Sequence, residues 1–93
     1  MLKVTTEHGT YYLIDEEQGR AMRVPAEGRN EMHGDDDWFE YRWVQAFDRA
    51  ANEMLGPIEV GKDMFFKLWG HTFYDWRIST KVTKIEEIVD VGV

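Results

Sequence analysis

Residues 38–55, WFEYRWVQAFDRAANEML, decide the fold, and they carry two incompatible periods. Phe39, Tyr41 and Trp43 alternate with Glu40 and Arg42, the period of a strand with one buried face. Phe39, Trp43, Phe47, Ala50 and Met54 are spaced by four, four, three and four, the period of an amphipathic helix. Asp37 with Glu40 three residues later has the form of a capping box, and Gly56-Pro57 is a helix stop. The expectation is a strand over residues 38–44 followed by a helix over about Gln45 to Leu55.

On either side the chain is β. Leu2 to Thr6 and Thr10 to Asp15 are rich in β-branched and aromatic residues, with Glu7-His8-Gly9 as the turn of a hairpin. Arg20 to Val24 is a third strand, ended by Pro25. Residues 26–37, AEGRNEMHGDDD, lack any period and form a polar loop. Pro57 to Gly61 is expected as an edge strand, where proline's missing donor is tolerated. Trp69-Gly70-His71-Thr72 has the pattern of a two-residue hairpin turn. That turn would set Leu68 opposite Phe73, Phe66 opposite Asp75 and Phe65 opposite Trp76. One face of the hairpin then carries Met64, Phe66, Leu68 and Phe73, and the other Phe65, Tyr74, Trp76 and Ile78. Both faces are apolar and both need covering. Ser79 to Ile88 gives a last strand, bulged because Val82, Ile85 and Ile88 break period two.

The resulting fold class is α+β: one domain over residues 1–93, mostly antiparallel sheet, with a single helix near 45–55 packed on it. A small, partly open barrel is the first architecture, and a flat sheet with the helix on one face the second.

Composition limits function. The 93 residues hold 18 acidic and 11 basic side chains, so the net charge is −7 and a phosphate backbone would be repelled. Nucleic acid is therefore not an expected partner. The excess is concentrated in residues 1–56, with six basic and twelve acidic side chains. There is no cysteine, which excludes disulfides and thiolate chemistry. No apolar run approaches the ~18 residues of a membrane span, and MLKVTTEHG has no signal-peptide core, so a cytoplasmic protein is expected.

The motifs for catalysis are sparse. Ser79, the only serine, lacks a nucleophile-elbow frame and is expected to bond backbone. His8, His33 and His71 each neighbour a glycine, and no pair has metal-ligand spacing. Asp35-Asp36-Asp37 begins like a calcium loop, but Phe39 and Glu40 stand where the fifth and sixth positions need an oxygen ligand and glycine. No cofactor and no enzymatic activity are expected.

Eleven of the thirteen aromatics lie between Trp38 and Trp76, more than a domain of this size readily hides. Aromatic anchors beside charge mark protein interfaces. The expected partner-binding set is Asp35, Asp36 and Asp37 with Trp38, Tyr41 and Trp43. A second set, Phe65, Tyr74, Trp76 and Ile78, is expected to mediate self-association into a homodimer.

Ile58-Glu59-Val60-Gly61-Lys62-Asp63-Met64, Arg77 to Ile85 and the opening Gly9 to Asp15 resemble short uncharacterised proteins encoded by phages of actinobacteria. The resemblance covers about half the chain and implies a small β-rich accessory protein made in the host cytoplasm. It carries no functional residues over, and Asp35 to Leu55 departs from its pattern. The expected function is a non-enzymatic interaction module binding a host or phage protein, with a virion or assembly component as the alternative and a small hydrolase or metal-dependent enzyme third.

Overall fold

The computed structural model describes residues 1–26, 35–70 and 75–89. They form eight antiparallel strands: β1 Leu2–Thr6, β2 Tyr11–Asp15, β3 Arg20–Val24, β4 Trp38–Asp48, β5 Glu53–Gly56, β6 Asp63–Leu68, β7 Trp76–Ile78 and β8 Val82–Glu87. The strand order is β7-β6-β4-β3-β2-β1-β8, with β5 also paired to β4. Among the described residues the only helical turn is a 3-10 turn at Glu7–Gly9.

The helix expected over residues 45–55 is absent, and the α+β class gives way to a nearly all-β fold. The reason lies in β4. Phe39 and Tyr41 point inward, their rings 5.3 and 5.9 Å from that of Phe66. The register against β6 then slips between Tyr41 and Trp43, leaving Arg42 as the extra residue. A bulge reverses which side chains face in. Beyond it Val44 and Ala46 point inward, while on the opposite face Trp43 stacks on Phe65 and Phe47 packs against it at a tilt. The four-residue steps from Phe39 to Trp43 to Phe47 therefore join two faces of one strand and trace no helical stripe.

After β4 the chain makes a hairpin turn. The Asp48 carboxylate accepts the N–H groups of Ala50 and Ala51 at 3.0 and 3.2 Å, and Asn52 takes a φ of 54°. Both are turn roles that aspartate and asparagine fill through their short polar side chains. The chain returns as β5, with Glu53 opposite Asp48 and Met54 opposite Phe47.

The first three strands form the expected meander, with Leu2 opposite Ile14 and Ile14 opposite Ala21. Pro57 to Gly61 is a bend and turn instead of the expected edge strand, entered and left through glycines at φ 99° and 96°. The β6–β7 pairing differs from expectation by two residues. Phe65 faces Ile78, Phe66 faces Arg77 and Lys67 faces Trp76, so the connection is longer than a two-residue turn. A slip of two leaves the described side chains of the two strands on their expected faces. Residues 71–74, with Phe73 and Tyr74, lie outside the described residues.

The core is built from the inner faces of five strands: Val4, Tyr12, Ile14, Ala21, Met64, Phe66 and Val82. Main-chain bonds close the roll. Gly61 N–H donates to Val82 O and Val82 N–H to Lys62 O, each at 2.8 Å, fastening the start of β8 to the approach to β6. Thr83 is bulged out of β8 against β1, which lets both Val82 and Ile85 face the core. No helix among the described residues is long and apolar enough to cross a membrane.

Candidate functional site

The outer face of β4, β6 and β7 is set by the alternation of β6. Met64 and Phe66 are fully buried, so Asp63, Phe65 and Lys67 point the other way. Pairing aligns Trp43, Lys67 and Trp76 on one rung and Gln45, Phe65 and Ile78 on the next, with Phe47 and Asp63 beyond. Phe65 is the hub. Its ring centroid lies 5.6 Å from Trp43 and 5.8 Å from Trp76, nearly parallel to both, and 5.4 Å from Phe47. Lys67, on the rung between Trp43 and Trp76, donates to the carbonyl of Asp75 at 3.3 Å. Nearby, Trp69 is 64% exposed with the Arg42 guanidinium 5.5 Å from its ring, and Trp76 is 41% exposed.

The residues expected to bind a partner do not form one surface. Asp35 is tied down: its carboxylate accepts from Arg23 at 2.6 Å, and its side chain is only 5% exposed. Asp36, at φ 64°, donates its N–H to Arg23 O, which pins the turn onto β3. Asp37 is exposed. Trp38 faces outward under the Arg20 guanidinium, 4.3 Å from its ring, and Arg20 also reaches Asp15 at 3.3 Å. Tyr41 turns inward to Phe66. Only Trp43 joins the outer aromatic face, on the order of 15 Å along β4 from Trp38.

Of the self-association set, Phe65, Trp76 and Ile78 share this face, and Tyr74 lies outside the described residues. The structure thus merges one residue of the first set with three of the second. Sequence reasoning did not assign Lys67, Phe47 or the Arg42–Trp69 pair to the face. Trp43 and Phe47 could be placed there only by locating the bulge at Arg42, and in β4 its phase shift is masked by the apparent helical period.

Away from that face, on β2, β3 and the turn before β4, Tyr12, Arg23 and Asp35 form a structural network. Burial raises the Tyr12 phenol above its usual value, against the opposing pull of the neighbouring Arg23. Burial also works against the charge on Arg23, but the hydrogen bond and charge of Asp35 outweigh it and raise its pKa. Tyr41 is raised too, first by burial and then by Glu16 and Asp15.

Catalytic chemistry finds little here. The Ser79 hydroxyl accepts from Met64 N–H at 2.9 Å and donates to Thr80 O at 2.7 Å, buried between β6 and β7. An open recess of about 300 Å³ is lined in part by Arg49, Lys62, Asp63 and Lys81. Arg49 crosses it, donating to Asp63 at 2.9 Å and to Ser79 O at 3.2 Å. Among the described residues no three His, Asp or Glu side chains converge as metal ligands, and His33 and His71 lie outside them.

Comparison of the chain with protein-family models, with curated proteins and with solved structures finds no match, so the geometry of this face stands alone as the guide to function.

Proposed function

We propose that the protein is a non-enzymatic interaction module that binds a partner protein through the outer face of β4, β6 and β7. The observation that carries this reading is the stack of Trp43, Phe65 and Trp76 on the side of the sheet turned away from the core. The core is already filled by Phe66 and its three aromatic neighbours. A sheet face turned away from the core is ordinarily polar, whereas interface centres are enriched in tryptophan, tyrosine and phenylalanine. Lys67 and Arg42 beside the rings add orientation through charge. The resemblance to phage-encoded proteins extends the proposal to a host or phage partner met in a bacterial cytoplasm. The acidic turn is not needed for this face, because Asp35 and Asp36 are spent on holding β3.

The test is affinity capture from host lysate with wild-type protein, Trp76→Ala and Asp37→Asn, each checked for fold by thermal melting. A protein retained by wild type and Asp37→Asn but lost by Trp76→Ala supports the reading. Equal retention by all three rejects it. A doubled mass in light scattering that Trp76→Ala halves would assign the same face to self-association.

A further inference from the structure

We infer that the open edge of β7 accepts an extended segment of the partner as an added antiparallel strand, and that this segment carries an acidic residue between two apolar ones. The inference rests on the interaction reading above and names the chemistry of the partner.

The strand β7 ends the strand order and pairs only with β6. Leu68 N–H donates to Asp75 O, and Ser79 N–H donates to Met64 O. Bonded residues alternate along an antiparallel pair. Residues 75, 77 and 79 therefore spend their main-chain groups on β6, and Trp76 and Ile78 turn theirs to the open side. Among the described residues no hydrogen bond to those outward groups is made. An edge of this kind is a template for strand addition.

The side chains select what can add. Trp76 and Ile78 stand on the outer face, Trp76 continuing the stack on Phe65. Arg77 points inward, its guanidinium 4.4 Å from the centroid of the Phe39 ring, and it has no carboxylate partner among the described residues. An inward cation guards an edge against indiscriminate pairing. It also opposes a second copy, because antiparallel pairing centred on Arg77 would set two arginines face to face. A strand with aspartate or glutamate opposite Arg77 converts that repulsion into a charge-assisted hydrogen bond. Apolar residues opposite Trp76 and Ile78 would extend the aromatic face by one strand. The other end of the strand order, β8, carries Lys84, Glu86 and Glu87 and offers no such apolar row.

The experiment uses a capped heptapeptide with valine–glutamate–valine at its centre and threonines on both sides. Its control has lysine in place of the glutamate. Tryptophan fluorescence gives affinity, and amide hydrogen exchange reports on Trp76 and Ile78. The glutamate peptide should bind at least about tenfold tighter than the lysine peptide, the ratio expected of one charge-assisted bond. It should also slow exchange at both amides. Arg77→Gln should level the two peptides, and Arg77→Glu should reverse their order. Equal binding of the two peptides to wild type, or binding of neither up to millimolar concentration, overturns the inference. So does tight binding that leaves the Trp76 and Ile78 amides unprotected. If the peptides fail while Trp76→Ala still abolishes partner capture, strand addition is wrong and the interaction module stands.

Discussion

Asp35 and Asp37 are two residues apart and chemically identical, yet their surroundings differ. Asp35 sits 5% exposed against Arg23, whereas Asp37 is exposed. Removing one partner of a buried ion pair leaves an uncompensated charge, so Asp35→Asn should destabilise by about 3 kcal/mol. Asp37→Asn should stay within about 0.5 kcal/mol in the same urea titration. The sequence displays the run of three aspartates but not which of them is buried, because Arg23 lies 12 residues away and reaches Asp35 only through the β3–β4 pairing. The neighbouring Tyr12 sets an alkaline limit. Its folded pKa is raised, so its contribution to stability is complete below the unfolded value of about 10 and is lost as pH rises through the folded value. Stability should therefore decline above about pH 10, and Tyr12→Phe should remove part of that pH dependence. An alkaline denaturation series with identical slopes for Tyr12→Phe and wild type would contradict the assignment.

At the scale of an element, β4 shows what a sequence conceals. The meander of β1 to β3 is legible because its strands are short runs rich in β-branched, aromatic and other apolar residues, and each turn has its own glycine or proline. In β4 the bulge at Arg42 shifts the phase, and the apolar residues on the two faces combine into an apparent helical stripe. The turn signal is nonetheless present: Asp48 caps the turn and Asn52 accepts a positive φ, roles that a helix would not require. The distinction is measurable. In a helix over 45–55, Asn52→Ala would raise propensity and stabilise by several tenths of a kcal/mol. In the hairpin, alanine at a φ of 54° is strained and should cost about 1 kcal/mol, while Asn52→Gly should be close to neutral. Chemical denaturation of both variants decides the matter by sign alone.

For the molecule as a whole, Phe65 and Phe66 divide the work of the aromatics. Neighbours in sequence, they point to opposite sides of β6, and each contacts three aromatic rings. Phe66 gathers Tyr12, Phe39 and Tyr41 into a core that joins the meander to β4 and β6. Phe65 gathers Trp43, Phe47 and Trp76 into the face proposed to meet a partner. Alternation alone reveals only part of that division. It separates the two hairpin faces correctly, because a register error of two residues preserves them, but nothing in the sequence says which face the rest of the chain will cover. The rolled sheet covers the Phe66 side and fastens it at Val82, which is 1% exposed. Phe66→Ala should then cost about 3–5 kcal/mol, a large part of the ~5–15 kcal/mol that holds a domain of this size together. Phe65→Ala removes stacking on a partly exposed face, where Phe47 is 5% and Trp76 41% exposed and each aromatic pair contributes about 0.5–1.5 kcal/mol, so the variant should still fold cooperatively. Its defect should emerge in partner capture and in weaker binding of the glutamate peptide. If Phe65→Ala instead unfolds the protein as readily as Phe66→Ala, the outer stack is a second core, and the interaction face must be sought elsewhere on the molecule.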